Sequence, residues 1–369
     1  MEPFLLTPGP LTTSLTTKQA MLRDWGSRDV EFIRLNARVR ERLVELAGGS
    51  GSHVCVPLQG SGTFLVEAML ATLVSPEGKV LLLVNGAYGK RMVRMCEYHR
   101  RAHTVIEVPE DHPVDPVAVD AALAADPAIT HVAVVHCETT SGVLNPVARV
   151  AEVVARRGRR LLIDSMSAFG AIPLDAARIP FDAMVSSANK CLEGVPGMGF
   201  AIIRRTALES ARGQCGSLSL DLHDQWTAME KTGQWRFTPP THVIAALDQA
   251  LTEHAAEGGV EGRGARYARN CGILVSGLRA LGFETLLPDA LQAPIIVTVR
   301  MPADPAFHFG AFYDRLAERG YVIYPGKLTV ADSFRIGCIG RLGEAEMHGV
   351  LDAIRDILKD MGVSRCGPA

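Results

Sequence analysis

An aspartate and a lysine define the chemistry open to this chain. Leu161-Leu162-Ile163-Asp164-Ser165-Met166 reads as a buried strand that delivers a carboxylate at its end. Twenty-six positions after Asp164, past a second apolar run from Phe181 to Val185, Lys190 stands in Ser186-Ser187-Ala188-Asn189-Lys190-Cys191. A lysine amine can hold a carbonyl compound covalently, and a carboxylate can keep a heterocyclic nitrogen protonated; pyridoxal phosphate needs both. Each residue alone also has an ordinary reading. A lysine beyond a strand is commonly a solvated surface group, and an aspartate there commonly caps a turn. The other strand ends decide between these readings.

After a first strand comes Gln59-Gly60-Ser61-Gly62-Thr63, opening a helix. Glycines allow close backbone approach, and the free N–H groups of a helix start attract an anion such as a phosphate monoester. A plain Ser/Thr-capped turn is the alternative. The spacing matches neither of the common nucleotide fingerprints. Asn85-Gly86-Ala87-Tyr88-Gly89 puts Tyr88 on a glycine-flanked turn, where it could stack on a flat ring or simply pack. Cys137-Glu138-Thr139-Thr140-Ser141-Gly142 gathers an acid and hydroxyls that could bond a ring oxygen or a substrate, or merely cap a loop. Together the strand ends offer a phosphate cradle, a stacking ring, a pyridinium acid and an amine.

Those residues need a scaffold that brings strand ends together. Short β-branched runs at His53–Leu58, Val80–Val84, Val105–Val108, Val132–His136, Leu161–Ile163, Ala183–Val185 and Gly199–Ile203 alternate mostly with helical segments. That pattern predicts an α/β fold whose large domain holds a mostly parallel seven-stranded sheet flanked by helices, with ligands at the carboxyl ends of the strands. An N-terminal arm (1–16) carries Thr7-Pro8-Gly9-Pro10, which forbids helix. The large domain is expected over 17–255. From Arg205 to Thr241 the pattern dissolves into a polar, glycine-containing stretch. Strands near Ile295–Arg300, Tyr321–Tyr324 and Phe334–Cys338 and helices near Phe307–Arg319 and Glu344–Asp360 predict a small α+β C-terminal domain over 256–369.

A net charge of −2 argues against a nucleic-acid or membrane-surface partner, which would call for a basic face. No apolar run reaches the roughly 20 residues that span a bilayer, and the start lacks a signal-peptide pattern. The eight cysteines form no Cys-x-x-Cys pair. Reduced thiols in a cytoplasmic enzyme without a metal are the expectation.

On these segments the chain resembles the fold-type-I pyridoxal-phosphate aminotransferases, in their class-V branch. The likeness runs from Leu6-Thr7-Pro8-Gly9-Pro10 through the segments quoted above to Phe237-Thr238-Pro239-Pro240-Thr241-His242 and Phe334-Arg335-Ile336-Gly337. It implies that Lys190 is the cofactor's covalent anchor and the catalytic base, and that Asp164 pairs with the pyridinium. Ser61, Gly62 and Thr63 would hold the cofactor phosphate, Tyr88 would stack on the ring, and Thr140 and Ser187 would bond its periphery. Thr241 and Thr238 would reach a neighbouring subunit's phosphate, which implies a homodimer with shared active sites. Arg335 would anchor the substrate's acidic group bidentately, with Pro8 and Gly9 beside it. The His-Cys-Glu-Thr-Thr and Ser-Ala-Asn-Lys-Cys segments imply small-molecule substrates: 2-aminoethylphosphonate as amino donor and pyruvate as acceptor, giving phosphonoacetaldehyde and L-alanine. The rival readings are serine or alanine transamination to glyoxylate or pyruvate, and a hydroxylated aminophosphonate as donor. A lyase using Cys191 would need an exposed thiol facing the cofactor. A non-catalytic protein on this fold would be expected to lose Lys190 or Asp164.

Overall fold

Seven strands build the central sheet of the computed structural model: β1 His53–Gly60, β2 Lys79–Val84, β3 Ala102–Glu107, β4 Ile129–Val135, β5 Arg160–Asp164, β6 Ala183–Ser187 and β7 Gly197–Arg204. The structure describes residues 2–328 and 331–368. Met1 of the expected arm lies outside the described residues, as do Thr329, Val330 and Ala369 of the expected C-terminal domain.

The spatial order is β1-β7-β6-β5-β4-β2-β3. β2 through β6 pair in parallel, whereas β7 runs antiparallel to both β6 and β1. The sheet is therefore mixed at one side, and chain length explains it. Only residues 188–196 join β6 to β7, and a parallel crossover needs a dozen or more. The chain returns through a tight turn instead, and that turn carries Lys190.

Alternation along each strand loads both faces. Leu81, Leu83, Val132, Val134, Leu161 and Ile163 enter one apolar cluster; Val80, Leu82, Val84, Ala133, Val135 and Leu162 enter another. Helices α1 Val30–Leu46, Pro116–Ala125, Val147–Arg156 and Thr241–Ala256 cover the first face. Gly62–Leu73 and Ala87–Tyr98 cover the second. In α1 the buried Phe32, Leu35, Val39 and Leu43 recur at three-to-four spacing, so one stripe faces the sheet. β3 lies at the sheet edge, half in solvent, and starts three residues before the run expected at Val105.

A third cluster gathers Leu6 from the arm with helix Gly259–Ala280, strands Ile296–Arg300 and Ser333–Gly337, and helices Phe309–Glu318 and Glu344–Asp360. The expected strand Tyr321–Tyr324 is split. Tyr321–Val322 pairs in parallel with Phe4–Leu5 of the arm, while Tyr324–Pro325 pairs with Ser333–Gly337. Ile323 between them is fully buried in the cluster. A helix at Leu222–Thr232 occupies the stretch that carried no pattern. Asp221 caps it, its side chain accepting from Asp224 N at 3.0 Å, and Gly233 ends it at φ 71°.

Candidate active site

The carboxyl ends of β1, β4, β5 and β6 open into one cavity of about 220 Å³, roofed by Gly9 of the arm. Ser61, Gly62, Thr63, Tyr88, Asp164, Ser187 and Lys190 all line it. Asp164 ends β5 and is 5% exposed; its Oδ1 accepts from Met166 N at 3.0 Å. Burial pushes its carboxyl up to about 6, against the pull of that N–H, Arg91 and Lys190. Burial also lowers the Lys190 ammonium, in the face of opposing pulls from Tyr88, Cys191 and Asp164. An amine and an acid thus each sit in an environment that resists their charged forms, as a site that manages protons requires.

The Lys190 turn is held from several sides. Glu193 N donates to Lys190 O at 2.8 Å, and Gly194 N to Ala188 O at 2.8 Å. Lys190 Nζ donates to Pro8 O at 2.5 Å. Glu193, at φ 59°, accepts from Arg266 Nη2 at 2.7 Å and from the Tyr267 hydroxyl at 2.6 Å. Arg263, with no exposed surface, donates to Cys191 O at 2.5 Å and to Glu257 at 2.7 Å. Arg266 in turn reaches Gly340 O and, at 2.9 Å, Leu342 O, beyond the strand of Arg335. A charge-balanced buried network therefore fastens the turn to helix Gly259–Ala280.

Room for a cofactor is built in. At Gly62 a Cβ would stand 2.4 Å from Met166 Sδ, so glycine keeps the helix start open. Ser61 occupies the cap position of that helix with no side-chain cap bond, leaving its hydroxyl uncommitted to the helix. Ser187 Oγ is buried without a partner among the described residues. Such an orphaned hydroxyl at a cavity wall calls for a polar ligand. These residues suit pyridoxal phosphate: N–H groups and hydroxyls for its phosphate, an acid for its ring nitrogen and an amine for its carbonyl.

The segment of one acid and several hydroxyls divides its residues between the cavity and the fold. Cys137–Glu138 folds back on Val143–Leu144, and this hairpin turns Thr139 toward the cavity and Thr140 away. The fully buried Thr140 hydroxyl donates to Glu138 at 2.5 Å and accepts from Ala87 N at 3.1 Å. The other Glu138 oxygen accepts from Tyr88 N at 3.3 Å. Glu138 and Thr140 thus hold the start of helix Ala87–Tyr98, and burial raises the Glu138 carboxyl. For the Tyr88 phenol, burial alone would raise its pKa, but Lys190, Lys327 and a hydrogen bond with Thr139 bring it below the usual range.

Arg335 is 2% exposed; it donates through Nη1 to Thr139 O at 2.8 Å and through Nε to Pro325 O at 3.1 Å. No carboxylate pairs with it among the described residues. Pro8 and Gly9 lie against Lys190, and a Cβ on Gly9 would stand 2.8 Å from its Nζ. Thr238 is exposed, and neither it nor Thr241, the first residue of its helix, lines this chain's cavity. Cys191 is fully buried beside Ser167 O, with its thiol pushed up to about 12 by burial, which suits packing rather than attack. Arg91 was missed by the sequence reading. It lines the cavity, donates to Thr63 Oγ1 at 3.0 Å and stands 4.9 Å from the Tyr88 ring centre. Its place three residues after Tyr88, on the same helix face, was the available signal.

Fold and cavity together suit a fold-type-I enzyme that holds pyridoxal phosphate, and the comparisons make it a transaminase. Comparison with known proteins places it further: the model of aminotransferase class V matches residues 15–326, and the chain belongs to that family. It is 55% identical to the 2-aminoethylphosphonate–pyruvate transaminase 1 of Polaromonas sp. strain JS666, over 98% of each chain. It is 54% identical to the 2-aminoethylphosphonate–pyruvate transaminase of Pseudomonas aeruginosa, over 98% of this chain and 97% of the other. Among solved structures it superposes on pyridoxamine–pyruvate aminotransferase from Mesorhizobium loti with a TM-score of 0.89 and 27% identity, covering 99% of this chain and 94% of that one.

Proposed function

We propose that the enzyme moves the amino group of 2-aminoethylphosphonate to pyruvate, giving phosphonoacetaldehyde and L-alanine. The observation that carries this reading is Arg335: a buried guanidinium with no carboxylate partner among the described residues, close enough for its charge to bear on Lys190. A buried cation of that kind awaits an acidic substrate group. The names of relatives more than half identical to this chain supply the acid's identity.

When bound, pyridoxal phosphate supplies the electron sink for loss of a proton from the carbon bearing the amine. Asp164 keeps the ring nitrogen charged, since a pyridinium partner favours the carboxylate that burial disfavours. Lys190 would carry the proton between the substrate carbon and the cofactor, and burial, which lowers its ammonium, favours the free amine that this task uses. The open N–H groups at Ser61–Thr63 hold the phosphate, with Arg91 beside Thr63. Tyr88 stacks on the ring and Ser187 bonds its periphery, while Arg335 binds phosphonate in one half-reaction and carboxylate in the other. Pro8 and Gly9 close the cavity over the lysine.

The active unit is read as a homodimer in which Thr238 and Thr241 serve the neighbouring subunit's cofactor phosphate, because both stand off their own cavity. Mixing Lys190→Ala and Thr241→Ala chains should then regain activity that neither has alone. The domain division at residue 256 is supported by Gly258 and Gly259, at φ 100° and 68°, between a helix packed on the sheet and one packed in the C-terminal cluster. A cytoplasmic setting fits the eight free thiols.

The deciding experiment is a single-turnover spectrum of the purified holoenzyme with 2-aminoethylphosphonate, L-alanine and L-serine. Bleaching of the bound chromophore by the aminophosphonate, reversed by pyruvate, supports the reading. Bleaching by serine or alanine alone would replace it with a carboxylate aminotransferase.

A further inference from the structure

A second cation, Lys327, stands over one residue of the cavity wall. Its Nζ stands 5.3 Å from the centre of the Tyr88 ring, and Tyr88 shares the cavity wall with Lys190 and Thr139. Both cations belong to one hairpin. Tyr324 pairs with Arg335 across the sheet, and the Pro325 carbonyl accepts from Arg335 Nε at 3.1 Å. Gly326 then fixes the backbone just before the lysine: its N–H donates to Ser333 O at 2.9 Å, and a Cβ there would meet that same oxygen at 2.3 Å. Lys18, Lys79 and Lys90 each pair with a carboxylate; among the described residues no carboxylate pairs with Lys327, and the same holds for Lys231 and Lys359, but neither of those stands over the cavity wall. An exposed lysine could be a merely solvated group. This one stands over the Tyr88 ring one residue past the bonded Gly326, and its charge is felt by the Tyr88 phenol.

The two acids handled at this site differ in shape and charge. A carboxylate has two oxygens and one negative charge, which the planar fork of Arg335 can satisfy. A phosphonate has a third oxygen and, like a phosphate monoester whose second pKa is about 6, approaches a second negative charge near neutral pH. Arg335 spends two of its five N–H donors on Pro325 and Thr139 and carries a single positive charge, so the second negative charge is left to another partner. A flexible ammonium on the rim suits that task, because a point charge adapts to a tetrahedral group and withdraws when a carboxylate takes its place. Resting on the phosphonate reading of this site, we propose that Lys327 is a binding residue for the donor's phosphonate and favours that group over a carboxylate.

The test compares kcat/KM for 2-aminoethylphosphonate and for L-alanine, each in the half-reaction that loads the cofactor with nitrogen, in the wild-type holoenzyme, Lys327→Met and Lys327→Arg. Lys327→Met should lower the value for the aminophosphonate about 30-fold and that for alanine less than about 3-fold; Lys327→Arg should recover most of the loss. The alanine arm also reports whether the variant is folded and loaded. Equal losses on both substrates would overturn the inference, as would no loss on either. A wild-type enzyme that converts alanine but ignores the aminophosphonate would instead remove the donor reading, and this inference with it.

Discussion

Replacing Glu193 tests whether the buried charge network, rather than the turn's own hydrogen bonds, holds the lysine in place. The Glu193 side chain is 4% exposed and that of Arg263 is 1%; Arg266 and Tyr267 also bond the same carboxylate. Glu193→Gln keeps the shape and removes the charge, leaving two guanidinium groups to share Glu257, which is 18% exposed. Removing one member of a buried pair costs about 3–5 kcal/mol, and the surviving Glu257 argues for the lower end, ~3 kcal/mol. That corresponds to roughly a hundredfold change in the folding equilibrium. Glu193 also occupies a left-handed backbone conformation at φ 59°, which costs a non-glycine residue about 1 kcal/mol. Glu193→Gly should therefore be less damaging than Glu193→Ala by about that amount, although both lose the charge. Urea unfolding of the four proteins, followed by tryptophan fluorescence, reads the free energies directly. A loss below about 1 kcal/mol in Glu193→Gln would refute the network argument, and equal losses for Gly and Ala would refute the backbone argument.

Three further outcomes follow from the same geometry. The Asp164 carboxyl is raised to about 6 in the folded protein, so its ionisation opposes folding: the cofactor-free protein loses stability as pH rises from about 4 through 6. Asp164→Asn should stabilise that form at pH 8 by up to ~3 kcal/mol while abolishing transamination; urea unfolding of both cofactor-free proteins that finds the variant weaker at pH 8 would contradict this. Gly62→Ala should weaken cofactor retention at least tenfold, measured by equilibrium dialysis, because the added methyl collides with Met166 at the phosphate cradle. Glu138→Gln would turn an amide against Tyr88 N or Thr140 N and should slow turnover about tenfold through a displaced Tyr88. An unchanged kcat would remove Glu138 from any positioning role.

The strands were legible because continuous β-branched runs on a doubly covered sheet leave a plain trace, and because strand ends collect ligands whatever the side-chain details. Asp164 and Lys190 were found that way. The antiparallel return of β7 is written in the sequence as well, because the link after Ser187 is too short for a parallel crossover. Other features depended on contacts no local pattern encodes. Thr139 and Thr140 are adjacent and chemically alike; only the pairing of Cys137–Glu138 with Val143–Leu144 decides which faces the cavity. Helix Leu222–Thr232 buries too few apolar groups for a clear stripe, although Asp221 and Gly233 marked its ends. The partners of Glu193 lie some seventy residues away, and Lys327 is an ordinary loop lysine until the hairpin folds.

The arm's two attachments set a limit on motion. Leu6 N is bonded to Val322 O beside the C-terminal cluster, and Pro8 O is bonded to the lysine of the central sheet. Two residues of chain can span only about 7 Å when fully extended. The position of the Pro8 carbonyl over Lys190 is therefore tied, within that reach, to the position of the strand at Val322. The carbonyl that holds the lysine amine is thereby tethered to the C-terminal cluster by two residues of chain.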